Sequence, residues 1–195
     1  MRGMESASSV ETSYAAFTGV RRVALGPLRE VLPVLKQRFE QDPSELVLVF
    51  ETESGRQIDF DLRGSLEDVL ERHAAVPARG PGRPKLGVTS REVSLLPKHW
   101  SWLEEHPSGI SGALRRLVEQ AIENESGPDR AKRLRAGLSR FLSAMAGDRP
   151  NYEEACRALF AGETERFESL IQRWPKDIRE QALQQAGAAA CLDAH

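Results

Sequence analysis

The chain has 195 residues, of which 40% are hydrophobic and 29% charged, and its formal net charge is -2. That is ordinary globular composition for one large domain or two small ones, with no apolar run long enough to span a bilayer and no secretory signal at the start. The two cysteines, Cys156 and Cys191, supply neither a disulfide framework nor metal-ligand spacing, so we expect a cytoplasmic protein.

The first folded segment is predicted to be an α+β domain at residues 13–76, after a disordered tail at 1–12. Its extended stretches are residues 14–25, interrupted at Gly19, then 46–50, and then 58–62. The last two stretches differ in pattern. The stretch at 46–50 is apolar throughout, as in a central strand, whereas 58–62 alternates apolar and acidic residues, as in a half-exposed strand.

Two helices complete this predicted domain. Pro27 opens the first helix, and its apolar residues recur at helical spacing: Leu28, Val31, Leu32, Leu35 and Phe39. A capping-box-like pair, Ser65 and Asp68, begins the second, shorter helix. The predicted order of elements is therefore ββαββα.

A basic arm or linker is predicted at residues 77–88, where proline and glycine exclude a helix or a central strand. The run from Arg72 to Arg91 contains no acidic residue, so positive charge is concentrated there. Gly82-Arg83-Pro84 is similar to the core of an AT-hook, in which arginine lies in the A·T-rich minor groove. The residues of the arm that we expect to bind DNA are Arg79, Arg83 and Lys85. A solvated tether is an equally weighted alternative.

The next segment, residues 89–125, resembles a ribbon-helix-helix unit. It is predicted to contain a short strand at 91–96, a helix from Pro97 and a second helix capped by Ser111. In that family the strand pairs with the strand of a second chain, so the resemblance implies an obligate homodimer. It also implies that the paired strands enter the major groove and that the start of the second helix lies on a phosphate, which makes Arg91, Ser111 and Arg115 candidate DNA contacts.

The strand has an unusual composition for a DNA-reading ribbon. In one register Arg91, Val93 and Leu95 face the bases, and two apolar groups read donor and acceptor patterns poorly. In the other register Ser94 and Glu92 face the DNA, and the carboxylate opposes the phosphates. The same element is well suited to dimerisation. Next to it, we expect Trp102 and Leu103 to fill a core.

The C-terminal part is predicted to be a helical region at 129–187, followed by a tail at 188–195. Its first helix has an apolar stripe made of Ala131, Leu134, Leu138, Phe141, Leu142 and Met145. The opposite side of that helix forms a second basic surface with Arg130, Lys132, Arg133, Arg135 and Arg140. These helices are a candidate surface for a protein partner.

The sequence contains no nucleophile elbow, phosphate loop, zinc-type histidine pair or dinucleotide fingerprint. Asp59 and Asp61 lie on one face of the predicted strand and could share a metal ion, but acids on a half-exposed strand are expected to be solvated. We therefore predict no metal, no cofactor and no enzymatic activity.

Taken along its length, the chain resembles an uncharacterised bacterial protein family, domain of unknown function 2239. The segments that carry the resemblance are residues 13–17, 61–65, 82–88, 95–100, 143–148 and 174–179. The resemblance implies a bacterial cytoplasmic protein of undivided architecture and supplies no site residues.

Two functions follow from these patterns. The first is a homodimeric DNA-binding protein, a transcriptional regulator or nucleoid-associated factor. The alternative is a non-catalytic adaptor, antitoxin-like, that uses the ribbon-helix-helix-like segment only to dimerise.

Overall fold

The computed structural model describes residues 12–73 and 90–193, which fall into two compact units. The first unit, hereafter the main unit, combines 12–73 with 127–193. The second, hereafter the helical pair, comprises 90–126. The segments predicted as an α+β domain and as a C-terminal helical region therefore contribute to the same unit. The basic arm at 77–88 lies outside the described residues.

The main unit contains a small antiparallel sheet and most of the helices. In chain order its elements are β1 Ser13–Thr18, β2 Arg21–Pro27, α1 Leu28–Gln41, β3 Val47–Glu51, α2 Leu66–His73, α5 Gly127–Ala146, α6 Tyr152–Ala161, α7 Thr164–Ile171 and α8 Lys176–Asp193. The helical pair consists of α3 Pro97–Glu104 and α4 Gly109–Glu123. An α+β fold was predicted, and the structure agrees at that level.

The sheet has the strand order β2-β1-β3 and is covered on both faces. Successive side chains of β1 point to opposite sides, as the twofold period of a strand requires. Ala15 and Phe17 join the core formed with the C-terminal helices, whereas Ala16 packs against α1 and α2. On β3, Phe50 lies in the core formed with the C-terminal helices, and Val49 packs against α1 and α2. The main unit is thus three layers, with the sheet in the middle.

The larger core is centred on three aromatic rings. Phe141 of α5 lies with its ring centroid 5.4 Å from that of Phe17 and 5.2 Å from that of Phe50. All three side chains are buried. The predicted apolar stripe of α5 is buried along its whole length, and α8 packs beside it through Ile178 and Ala182. Burial of these groups supplies the main driving force for folding the unit.

The loop after β3 packs directly against the backbone of α5. Gly55 adopts φ +63°, and a Cβ added there would lie 1.8 Å from the carbonyl oxygen of Gly137. A Cβ added to Gly137 would lie 2.0 Å from the carbonyl oxygen of Glu53. The guanidinium of Arg140 also donates a hydrogen bond to the Ser54 carbonyl. This close approach depends on two glycines that are far apart in sequence.

The predicted strand at 58–62 is not present in the structure. Ile58 donates a backbone hydrogen bond to Val49, and an isolated bridge joins Phe50 to Gln57, but the chain then leaves the sheet. Phe60 and Leu62 pack instead against the core between the sheet and α1. Their alternation reflects this burial and not a ladder, so the described order at 12–73 is ββαβα.

Burial on both faces also explains why β3 is apolar from Val47 to Phe50. It is an edge strand of the sheet and not the central one that its composition predicts. The capping pair at α2 is confirmed: the Ser65 N–H donates to the Asp68 carboxylate (2.8 Å), and the Asp68 N–H donates to the Ser65 hydroxyl (3.2 Å).

The C-terminal helix is longer than predicted. α8 runs to Asp193, into the segment expected to be a tail, and Ala189 is buried there. Arg135 of α5 pairs with Asp193 at its end. Cys156 is half-buried and Cys191 exposed, and the two cysteines do not form a disulfide. Across residues 12–73 and 90–193, no helix is both long and apolar enough to cross a bilayer.

Candidate functional site

The sequence-predicted DNA contacts are only partly covered by the structure. Arg79, Arg83 and Lys85 lie outside the described residues. Arg91 is exposed in an irregular segment, because residues 90–96 carry no strand in this single chain. Arg115 is exposed on α4. The structure therefore brings two of the predicted arginines into the helical pair and leaves the ribbon unformed.

Ser111 does not cap α4, contrary to the prediction. The helix begins two residues earlier, at Gly109, which adopts φ +69°, and the capping position is occupied by Ser108. The Ser108 hydroxyl makes no capping bond and is instead hydrogen-bonded to Nδ1 of His106 at 2.8 Å. Ser111 is an exposed residue of the first turn.

His106 connects the two helices of the pair. Its ring stacks at 5.3 Å from the ring of Trp102 on α3, and its Nε2 accepts a hydrogen bond of 2.6 Å from the Arg116 guanidinium on α4. With the Ser108 contact, this imidazole holds the turn between the helices by three interactions. The Arg116 side chain is therefore engaged within the pair, and Arg115 is exposed on α4.

An apolar stripe runs along α4 without cover. Its residues follow the spacing of one helix face: Leu114, Leu117, Val118, Ala121 and Ile122. The exposed fractions of Leu117, Val118 and Ile122 are 41%, 55% and 65%. The periodicity of these residues was visible in the sequence, but their exposure was not, since the same pattern is normally a core.

The rest of the helical pair extends this apolar surface. In the described part of the pair only Leu103 and Ala113 are hydrophobic and fully buried. Trp102, expected to fill a core, is 51% exposed, and Val93 and Leu96 are exposed before α3. A surface of this kind, rimmed by charged residues, is typical of a protein-interaction site.

Charge is distributed unevenly along α4. Arg115 and Arg116 lie toward its start, and Glu119 and Glu123 toward its end. Over residues 90–126 there are six acidic and four basic residues, not counting histidine. The helical pair is therefore not a basic surface as a whole: Arg91 and Lys98 lie outside α4, and the positive charge of α4 itself is confined to its first half.

No group of three or more histidine, cysteine, aspartate or glutamate side chains is placed to hold a metal ion within the part of the chain that the structure describes. Asp61, predicted above to be a solvated acid, forms an ion pair with Arg63 at 2.8 Å. Hydrogen bonds from the side chain and the backbone N–H of Arg63 hold the pKa of the Asp61 carboxyl far below its usual range. The carboxylate is committed to an ion pair.

Comparison with known proteins identifies a family and no further relative. The chain matches, over residues 13–186, a family described as an uncharacterised protein conserved in bacteria, DUF2239. Because the match covers most of the 195 residues, the chain belongs to this family. No curated protein and no solved structure gave a significant match.

Proposed function

We propose that this member of the DUF2239 family is a homodimer that binds DNA, and that the helical pair is its dimerisation element. The observation that carries the proposal is the uncovered apolar stripe of α4. With two fully buried hydrophobic residues between 90 and 126, the pair has too small a core to be stable without a partner. A second chain that covered the stripe would supply the missing burial.

The charge pattern of α4 favours a second copy as that partner. Two α4 helices packed antiparallel about a twofold axis near Val118 bring Arg115 and Arg116 of each copy against Glu119 and Glu123 of the other. An isologous interface of this kind is the commonest way in which identical chains associate. The ion pairs contribute modestly to affinity, and their main effect is to select the antiparallel orientation.

DNA binding is the part of the proposal that rests on sequence. The basic run that ends at Arg91 adjoins the helical pair, and dimerisation doubles the number of arms available to one duplex. Two arms on one DNA raise the affinity through effective concentration. Phosphate contacts of this type do not require a basic helical surface, which agrees with the acidic excess of residues 90–126.

The alternative is a non-catalytic adaptor that dimerises in the same way and binds a protein through its C-terminal helices. The acidic excess of the helical pair supports this alternative. So does Phe160 on α6, which is about half exposed. The two candidates differ in whether duplex DNA binds.

One experiment with two readouts tests both parts. Light scattering on the full chain gives its mass, and fluorescence anisotropy on A·T-rich and G·C-rich duplexes gives DNA affinity at several salt concentrations. We expect a dimer, and a monomer when Ile122 is changed to Glu. Leu46→Glu is the matched control, because Leu46 is an exposed leucine in the main unit, and this variant is expected to remain a dimer.

The arm is tested by changing Arg79, Arg83 and Lys85 together to alanine. Each phosphate contact contributes about -0.9 to the slope of log affinity against log salt, and a dimer with both arms on one duplex loses six cations, so the slope is expected to become less negative by about five units. The control removes three exposed cations of the main unit: Arg157, Arg166 and Lys176. A monomeric wild type contradicts the dimer, and a dimer that ignores both duplexes at low salt contradicts DNA binding and favours the adaptor.

A further inference from the structure

Four arginines converge on a cleft in the main unit that the sequence patterns did not reveal. The cleft has a volume of about 630 Å³ and lies where the loop after β3 meets α5. Its charged lining residues are Arg56, Arg130, Arg133, Arg140, Glu51 and Glu53. Four guanidinium groups against two carboxylates give the cleft an excess positive charge. We call it the arginine cleft.

The carboxylates of the cleft are already engaged. Glu53 pairs with Arg130 at 3.4 Å, and Glu51 accepts a hydrogen bond from the Ser54 hydroxyl. Among the residues that the structure describes, the Arg56 side chain has no ion-pair partner. The planar guanidinium fork matches the oxygens of a phosphate group, and several forks around one cavity are suited to an anion.

A second cleft continues from the first. It has a volume of about 460 Å³ and shares four lining residues with the arginine cleft: Ser13, Thr52, Glu53 and Arg130. Beyond the shared residues its lining combines three leucines with three amides: Leu25, Leu134 and Leu192, and Gln181, Gln184 and Gln185. Each volume is within the range of small-molecule sites in proteins. Together the two clefts form one site: the arginine cleft is its cationic end, and the second cleft is its more apolar end, where the Gln185 amide lies.

Two buried polar atoms of these walls have no hydrogen-bond partner within the described part of the chain. They are the Nε of Arg130, a donor, and the Oε1 of Gln185, an acceptor. A buried polar atom without a partner is costly and uncommon in native proteins. Arg130 lies in the stretch that the clefts share, and Gln185 lies at the apolar end. Both atoms are fully buried, so a ligand reaches them only after a rotation of the side chain; a ligand with an anionic group and a ring N–H then complements both.

We propose that the joined clefts bind a nucleoside phosphate. The phosphate lies among Arg56, Arg130 and Arg133, and the base lies between the leucines, where a ring or exocyclic N–H donates to Gln185 Oε1. Ser13 and Thr52 line the shared stretch, where the sugar lies; the Thr52 hydroxyl donates its proton to the Ser13 carbonyl (3.0 Å), so its oxygen can accept from a sugar hydroxyl. This site lies within the main unit and does not depend on dimerisation or on the basic arm.

Isothermal titration calorimetry on the full chain tests the proposal with the four common ribonucleoside 5′-monophosphates. Free nucleosides, ribose 5-phosphate and inorganic phosphate serve as control ligands. At least one nucleoside monophosphate is expected to bind about tenfold more tightly than ribose 5-phosphate, because only the complete ligand uses both ends of the site. No binding at millimolar concentration, or equal binding of ribose 5-phosphate, overturns it.

Variants on one helix separate the site from general charge. Arg133→Ala is expected to weaken the nucleotide and ribose 5-phosphate about tenfold each, since both lose a charged contact. Lys132→Ala is the matched control: Lys132 is the neighbouring cation on α5, is exposed and lines neither cleft. An equal loss with Lys132→Ala overturns the proposal by showing that net charge alone attracts the anion.

Gln185→Leu tests the other end of the site. It is expected to weaken the nucleotide about tenfold and to leave ribose 5-phosphate unchanged, because only the base N–H uses the amide. If the Gln185→Leu variant binds every ligand as tightly as the wild type does, the base does not lie against Gln185, and the placement of the base at this end of the site is overturned. A single-stranded oligonucleotide that binds more tightly than any mononucleotide would show that the clefts follow a polymer.

Discussion

At the scale of single residues, Gly55 and Gly137 decide how the loop after β3 meets α5. The two backbones approach so closely that neither position has space for a Cβ. Gly137 is in the interior of a helix, where glycine is about 1 kcal/mol less favourable than alanine. The absence of a side chain at Gly137 lets the loop after β3 pack against α5. That loop carries Glu53, Ser54 and Arg56, which form part of the wall of the arginine cleft.

Gly137→Ala is therefore expected to destabilise the protein in spite of its better helix propensity. The added methyl group would lie 2.0 Å from the Glu53 carbonyl oxygen, and the atom it meets belongs to a backbone. Relief requires the loop to move, which costs about 2 kcal/mol, a typical value for overpacking. Urea denaturation followed by circular dichroism measures the change in the free energy of unfolding.

Gly187→Ala on α8 is the matched control. Nothing lies within 4 Å of a Cβ at Gly187, so alanine there is expected to stabilise the protein by about 0.5–1 kcal/mol. If the two glycine-to-alanine changes alter the free energy of unfolding in opposite directions, packing against the loop, and not helix propensity, causes the destabilisation by Gly137→Ala. If Gly137→Ala also stabilises the protein, the loop after β3 does not pack as closely against α5 as described above.

At the scale of elements, α2 shows what its capping pair contributes. The helix has eight residues and attaches to α1 through Val69, which is fully buried. Hydrogen bonds from the Ser65 backbone N–H and hydroxyl lower the pKa of the Asp68 carboxyl. A carboxyl with a lower pKa in the folded state stabilises that state above its unfolded pKa, near 4, and loses this contribution as the pH falls through the folded value.

Asp68→Asn is therefore expected to reduce the loss of stability on acidification. The wild type should lose part of its stability below about pH 4, and the variant should lose less, because the amide does not titrate. Urea midpoints at a series of pH values measure the difference. Ser65→Ala is the comparison variant: it removes the hydroxyl and keeps the backbone N–H, so its acid dependence should lie between that of the wild type and that of Asp68→Asn. If both variants respond to acid as the wild type does, the Asp68 hydrogen bond has no effect on folding.

Local patterns predicted the elements whose causes are local. The capping pair at Ser65 and Asp68 and the apolar stripe of α5 follow from spacing alone, and the structure has both. Ser111 failed as a cap because the Ser108 position starts the helix, and its hydroxyl bonds to His106. The strand at 58–62 failed because alternation reports burial of one face and not the presence of a neighbouring strand.

The candidate sites were harder to predict because they depend on tertiary contacts. Arg130, Arg133 and Arg140 were recognised as a basic surface, but the sequence does not show that the loop carrying Arg56 packs beside them. The only local sign was a glycine in the middle of the α5 stripe, at Gly137. For α4, the sequence predicted a helix but not the exposure of its apolar residues, which depends on tertiary contacts.

At the scale of the whole molecule, the main unit is assembled from two segments distant in sequence. The face of the sheet formed by Ala15, Phe17 and Phe50 is covered entirely by helices that follow residue 126. The other face is covered by α1 and α2. A sheet of three short strands with one large aromatic face in water is not stable by itself. Residues 13–76 therefore depend on α5–α8.

We expect a chain truncated after Ser126 to be unable to fold. Removing α5–α8 exposes the Phe17 and Phe50 rings and leaves one face of the sheet uncovered. The control replaces residues 74–126 with a glycine-serine linker of about 12 residues, which reaches about 40 Å when extended, and keeps both segments of the main unit. Circular dichroism, dye binding and thermal unfolding compare the two chains. Cooperative unfolding is expected for the control alone, and cooperative unfolding of the truncated chain would show that residues 13–76 are an independent domain.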